Sequence, residues 1–350
     1  MSTSIAQLCH HLRSILAVGL TLVICTLTGG VANAQTSAAV EQSFGSQPGL
    51  GSHSQFGSLS HILPTQWISD EPTGAVVSEP ELVLGDYSSG SGYCNPNSWG
   101  EQLMPDGLIY RSYMAGPRES KFQLNTLEET GTGQTLWDVI LGGRRGVWRY
   151  GSFDTLHPEG WQLDMEGAAL VRLNLDNERD VDSSDFRFGV PLTYGSGKWQ
   201  TKFGYYHLSS HLGDELIVRT PGATRKNYVR DAIIFGLSYN PTPSWRLYGE
   251  TAYAFFTAGG AEPWEFQFGA EYAKPGVTGR AGTPFFATNG HLRQEIDFGG
   301  DYTAQVGWLW RGGSGSQFRT GFNFQTGHSN YYQWYNESEK QFGWAIWYDY

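Results

Sequence analysis

Apolar and polar residues alternate along most of the chain after about Thr135. The clearest segment runs from Trp264 to Tyr272, where aromatic or small apolar residues alternate with glutamate, glutamine and glycine. Successive side chains of a β-strand point to opposite faces, so this pattern predicts a strand with one apolar and one polar face.

The same alternation recurs and predicts a sheet of about twelve strands, an even number as in bacterial barrels. Two of the twelve are predicted within 135–152, from the segments TLWDVIL and GVWRYGS. Besides the strand at 264–272, the remaining nine lie near 161–173, 186–194, 199–205, 233–239, 245–255, 286–298, 302–310, 318–324 and 344–350.

Two all-β folds alternate in this way, a soluble β-sandwich and a transmembrane β-barrel. Aromatic residues cluster at the strand ends, as the girdles of a membrane barrel do. The polar faces carry charges of both signs, which suits a polar lumen. The chain also ends on Tyr350 after alternating apolar residues, a pattern that resembles the signal read by barrel-assembly machinery. We therefore predict an all-β fold, an antiparallel transmembrane β-barrel whose partners are outer-membrane lipid and that machinery.

The N-terminal region has a different character. His10, His11 and Arg13 precede an apolar run from Ile15 to Leu27, and a small-x-small cleavage motif ends at Ala34. These features predict a signal peptide over residues 1–34 and a location in the outer membrane of a Gram-negative-type cell after cleavage.

Residues 35–96 are rich in serine, glycine, glutamine and proline, which predicts a low-complexity, disordered arm. The barrel domain is then expected over 97–350. Of the three cysteines only Cys94 follows the signal peptide, so the mature chain has no intramolecular disulfide.

The mature chain is acidic. Removing the signal peptide deletes Arg13 and no acidic residue, which leaves 22 cations against 34 anions, or a net charge of −12. This balance argues against binding to a phosphate backbone, so no nucleic-acid partner is expected.

The candidate chemistry lies in the segment YYHLSSHLGDE, at 205–215. Both barrel termini are expected in the periplasm, which puts His207 and Ser209 near the extracellular rim with their side chains toward lipid. Asp231 shares the lipid-facing parity in the next strand, and Asn227 lies closer to the loop. If Trp199 and Tyr239 face each other at the periplasmic rim, counting the same number of residues along each strand places His207 opposite Asp231.

A serine nucleophile needs a base within hydrogen-bond reach, and the base needs an acceptor that fixes its tautomer. The H-x-S pattern on a barrel wall resembles outer-membrane phospholipase A and the lipid A 3-O-deacylase over about 30 residues. The resemblance implies His207 as base, Ser209 as nucleophile and either Asp231 or Asn227 as the orienting residue. Ser210 follows the serine here, where those families have asparagine.

Calcium is the cofactor that the resemblance to the phospholipase implies, with Asp214 and Glu215 as its ligands. The alternative is that these two are ordinary solvated loop carboxylates, and that His207 and Ser209 are polar residues of the headgroup-level rim. Two activities therefore stay open: a lipid acyl-ester hydrolase, and a non-enzymatic structural or narrow-channel barrel.

Over 105–350 the chain resembles the domain of unknown function family 1207, a family of exported proteins. Four segments carry this resemblance, and it implies a shared fold without an established activity. The segments are PDGLIYRSYMAGPRESKF, YYHLSSHLGDE, AEPWEFQFGAEY and PFFATNGHLRQEIDFGGDYTAQVGW.

Overall fold

The computed structural model describes residues 98–350, so the predicted signal peptide, arm and Cys94 lie outside the described residues. This part of the chain forms thirteen strands in one antiparallel sheet. Strands β2 to β13 each pair with the next, and β13 pairs back with β2, which closes a twelve-stranded barrel and confirms the predicted fold. The strands are β1 Trp99–Leu103, β2 Phe122–Glu129, β3 Gln134–Ser152, β4 Gly160–Asn174, β5 Asp180–Ser196, β6 Trp199–Leu212, β7 Val229–Thr242, β8 Trp245–Ala258, β9 Trp264–Ala273, β10 Thr283–Arg293, β11 Gly300–Arg311, β12 Gln317–His328 and β13 Ser338–Asp349.

The two strands predicted within 135–152 are wrong, because this segment forms the single 19-residue strand β3. Gly142 and Gly143, which lie between the two predicted segments, stay in the ladder opposite Ala168 and Gly167 of β4. The twelfth barrel strand is instead β2, whose pairing with β3 and β13 closes the wall.

The barrel has an apolar outside and a charged inside. Lumen-facing side chains such as Asp164, Lys202 and Arg319 are at most 2% exposed. An apolar outer surface around a charged interior suits lipid as the surrounding solvent and defines a transmembrane barrel. Within residues 98–350, no helix is long and apolar enough to span a membrane. The exposed outer residues include Trp161, Phe188, Phe203, Phe235, Leu247, Phe268, Val306, Phe322 and Trp344.

The lumen is filled by the segment that connects β1 to β2, residues 104–121, which we call the plug. Both flanking strands pair with β3, β1 along 148–152 and β2 along 134–140. The chain therefore leaves the wall after β1, passes through the lumen and returns to the wall beside the same strand. Nearly all residues from Leu108 to Lys121 are buried.

Basic side chains of the wall bind the plug through its backbone carbonyls. An irregular buried segment has carbonyl groups that no sheet satisfies, so it needs donors from side chains. Arg149 donates to the carbonyls of Asp106 and Gly107 at 3.0 and 2.8 Å. Arg246 donates to the carbonyl of Arg111 at 2.8 Å. The basic side chains of the lumen therefore hold the plug in place.

A loop closes the barrel from the end opposite the C-terminus. Tyr331 and Tyr332, in the connection between β12 and β13, are buried. The Arg118 guanidinium of the plug lies 4.5 Å from the centre of the Tyr332 ring and pairs with Asp185 at 2.9 Å. It also donates to the carbonyl of Asn330 at 2.6 Å, so plug and loop form one packed unit.

Candidate functional site

The predicted site lies on the outer wall where β6 and β7 approach the loop between them. The ladder runs without a register shift from Trp199 opposite Tyr239 to Ser209 opposite Val229. His207 therefore lies opposite Asp231, as counting along the sequence predicts. Alternation along the ladder directs both side chains toward the lipid.

His207 and Asp231 form a hydrogen bond, with 2.8 Å between Nδ1 and Oδ1. The His207 side chain is 40% exposed, whereas that of Asp231 is 11% exposed. A carboxylate accepts this bond, so the neutral imidazole carries its proton on Nδ1 and presents the lone pair of Nε2 outward. This is the tautomer that a general base requires.

Tyr205 completes a three-residue network that sequence reasoning missed. Its hydroxyl donates to the same Asp231 Oδ1 at 2.6 Å. Beside Asp231 the pairing of β7 with β8 shifts by one residue, so Phe255 and Phe256 both point outward, 59% and 52% exposed. Tyr205 lies two residues before His207 on the same face, which is the one signal that could have identified it.

Ser209 lies on the same face as His207, two residues further along β6, or about 6.6 Å along the strand. It is half-exposed between Phe186 of β5 and Val229 of β7. Within the described residues its hydroxyl makes no hydrogen bond. The histidine and aspartate are therefore joined, and the serine is adjacent and unengaged.

Asn227, the other candidate orienting residue, is exposed in the loop before β7 and makes no side-chain hydrogen bond within residues 98–350. The rim above Ser209 has other polar contacts. Arg225 lies 2.7 Å from Nδ1 of His211, and the His211 ring packs edge-on against Phe186 at 5.6 Å.

Asp214 and Glu215 occupy the first turn of the only α-helix among the described residues, α1 (Asp214–Arg219). Both are exposed. Across 98–350, no group of three or more His, Cys, Asp or Glu residues is arranged to hold a metal ion. The pair could contribute two carboxylates to a calcium ion, and the remaining ligands would have to be water or lipid oxygens.

Comparison with known proteins identifies a family. The model of the family described as "Protein of unknown function (DUF1207)" matches residues 90–350. No curated protein is similar enough in sequence to count as a relative.

Several solved structures are similar to this chain at low sequence identity. Outer membrane phospholipase A from Escherichia coli is 12% identical, over 67% of this chain and 98% of that chain, with a TM-score of 0.42. The Salmonella typhi outer membrane phospholipase, described as a dimer with bound calcium, is 11% identical over 69% and 94%, with a TM-score of 0.43. KdgM porin is 8% identical over 66% and 99%, with a TM-score of 0.36.

Proposed function

The chain belongs to the DUF1207 family of proteins of unknown function, and on that premise we propose that it is an outer-membrane barrel which hydrolyses acyl esters of membrane lipid at its outer wall. One observation carries the proposal: His207 is hydrogen-bonded to Asp231 at 2.8 Å on the lipid-facing surface, beside Ser209.

In the proposed reaction, the Ser209 hydroxyl attacks the ester carbonyl and passes its proton to Nε2 of His207. Asp231 stabilises the imidazolium through the Nδ1 hydrogen bond. The imidazolium then protonates the departing alcohol, which leaves an acyl group on Ser209. Water, activated by the same imidazole, hydrolyses this acyl-enzyme and restores the serine.

The serine and histidine must close on each other when the ester arrives, because no hydrogen bond joins them in the free protein. Catalytic hydrogen bonds commonly tighten only in the substrate complex. The outward phenylalanines beside Asp231 provide an apolar surface for the acyl chain, so the ester reaches the site directly from the bilayer.

The test is release of fatty acid from phospholipid and from lipid A by the refolded full-length protein in detergent, with and without calcium. Ser209→Ala is expected to reduce release to background while the barrel stays folded. Ser210→Ala is the matched control, because the Ser210 hydroxyl faces the lumen and binds Gln333 at 3.1 Å. Equal release by wild type and Ser209→Ala would remove the proposal.

A closed structural barrel is the second candidate, and the filled lumen favours it over a channel. In that case His207 and Ser209 are rim residues, and no release occurs from a correctly folded protein. The arm over 35–96, contact with barrel-assembly machinery and outer-membrane location are proposals common to both candidates.

A further inference from the structure

Three arginines converge at the mouth of the barrel where the chain ends, which we call the C-terminal mouth. Arg111 comes from the plug, Arg246 from the start of β8 and Arg311 from the end of β11. All three line one cavity between the plug and the wall. Arg111 and Arg246 also line an adjoining cavity of about 90 Å³.

The positive charge of this cluster is largely uncompensated. Arg246 pairs with Glu271 at 3.3 Å, and the other oxygen of that carboxylate accepts the backbone N–H of Met114 at 2.7 Å. Arg311 donates from one terminal nitrogen to the carbonyls of Lys274 and Gly276, at 2.6 and 3.1 Å. Carbonyl oxygens carry no net charge, so this cation remains unneutralised.

Two donor groups of the cluster are without partners in the described part of the chain. The Nε of Arg311 is buried and makes no hydrogen bond. The guanidinium of Arg111 makes neither a hydrogen bond nor an ion pair with any residue of 98–350. Burial, together with the neighbouring charges of Arg246 and Arg311, lowers the pKa of Arg111 to about 10. It therefore remains a cation at neutral pH without a direct ion pair among these residues, because the two acids that act on it, Glu271 and Asp349, pair with Arg246 and Arg319.

Cations held largely away from water without an ion pair are costly, and a bound anion reduces that cost. We propose that the C-terminal mouth contains a phosphate-binding site, formed by Arg111 and Arg246 with the positive charge of Arg311 in the neighbouring cavity, for free phosphate or for the phosphomonoester of a larger molecule. Guanidinium groups present planar forks of donors that match the oxygens of phosphate. The polar side chains of His157 and Asn240 line both cavities.

The size of the space restricts the ligand. A single water needs about 10–15 Å³ of such volume. The cavity that all three arginines line has only about 20 Å³, so the oxyanion is placed in the adjoining cavity of about 90 Å³, which Arg111 and Arg246 line together with Glu159. The rest of any larger molecule stays outside. The chain as a whole is acidic, with a net charge of −11. Binding must therefore come from this local cluster.

The experiment is thermal unfolding of the refolded full-length protein in detergent, with inorganic phosphate titrated against sodium chloride at equal ionic strength. Phosphate is expected to raise the Tm in a saturable manner, and chloride is not. A second titration uses glycerol 3-phosphate in place of inorganic phosphate. If the rise in Tm saturates at a lower concentration of glycerol 3-phosphate, the natural ligand is a phosphomonoester. If it saturates at a higher concentration, the ligand is the free phosphate ion.

Arg111→Gln is expected to abolish the phosphate response. Because the guanidinium of Arg111 makes no hydrogen bond or ion pair among the described residues, and its carbonyl contact with Arg246 is kept, the same variant should unfold at an equal or higher Tm in phosphate-free buffer. Arg145→Gln is the matched control, since Arg145 is 47% exposed and already paired with Asp106 at 2.8 Å, and it should respond like wild type.

Arg111→Lys gives an independent measurement that preserves the charge. It should still respond, at several-fold higher phosphate, because an ammonium lacks the planar fork. An equal response of wild type to phosphate and chloride would overturn the proposal, as would a full phosphate response in Arg111→Gln. Ser209 lies on the outer wall, so fatty-acid release tests the hydrolase separately.

Discussion

At the scale of single residues, the central feature is one carboxylate oxygen that accepts two hydrogen bonds on a lipid-facing wall. Tyr205 and His207 both donate to Oδ1 of Asp231, at 2.6 and 2.8 Å. Polar groups against hydrocarbon are costly unless they are hydrogen-bonded, so these contacts allow an acid to remain at this position. The result is an imidazole held in one orientation and one tautomer.

Replacing Asp231 by Asn should lower the rate of ester hydrolysis by about 10³-fold or more, because the amide no longer stabilises the imidazolium and permits the wrong tautomer. Steady-state release of fatty acid measures this loss. Asn227 is the other candidate for the orienting residue, so Asn227→Ala is the control and should keep wild-type activity. The reverse ranking of the two variants would identify Asn227 as the orienting residue.

The pairing of His207 with Asp231 is predictable from sequence because no register shift interrupts the ladder between Trp199 and Ser209. Tyr205 is harder to predict, since an aromatic residue on the outer face looks like a member of the interfacial girdle. The shift beside Asp231 is harder still. The sequence AYAFFTA does not indicate which of the two phenylalanines is the additional residue at the register shift between β7 and β8.

At the scale of elements, the alternation predicts ten strands because each has one parity that is consistently apolar. β2 escapes notice since Leu127 faces the lumen while Glu128 faces out, which breaks the pattern. β3 is divided wrongly because LGGRRG resembles a turn. In the barrel Arg144 of that segment points inward and pairs with Asp164 at 2.6 Å, which keeps the strand continuous.

The plug is the element that sequence periodicity cannot predict, because its stability comes from long-range contacts with wall side chains. Lys121 shows how it is held: its Nζ donates to the carbonyls of Met114 and Gly116, each at 2.9 Å. Burial lowers the pKa of Lys121 to about 8, and the charge of Arg319 contributes to the shift. The folded state therefore disfavours the protonated amine relative to the unfolded chain.

The pH dependence of stability should reveal this lysine. The penalty is fully present below pH 8 and fades as the pH rises toward the unfolded pKa of about 10.4. Between pH 8 and 10 the free energy of unfolding of wild type should rise by roughly 2 kcal/mol relative to Lys121→Met. Urea unfolding at pH 7, 8, 9 and 10 measures both proteins, and parallel pH profiles would contradict the assigned shift.

At the scale of the whole molecule, plug and loop make the barrel a closed structure. About twelve strands enclose a narrow lumen, and here opposed charges and the plug occupy it. Arg118 joins the two closing parts through Asn330 and Asp185. Most of the interior is therefore a packed core, and cavities remain between plug and wall at the C-terminal mouth.

Wild-type protein in planar bilayers should accordingly give no large steady conductance. Arg118→Ala removes the contact between plug and loop, and we expect intermittent openings in that variant. Arg179→Ala replaces an exposed arginine and serves as the control. A steady, porin-sized conductance from folded wild-type protein would show that the plug does not close the lumen.

The most direct test of the central claim is covalent capture of the nucleophile. Folded protein in detergent is treated with a long-chain alkyl fluorophosphonate, and the modified peptide is identified by mass spectrometry. An activated serine displaces fluoride and keeps the phosphonyl group. We predict one adduct, on Ser209, that is lost in His207→Asn and retained in Ser210→Ala. Absence of any adduct on Ser209 of the folded barrel, or labelling that persists in His207→Asn, would contradict the proposed site.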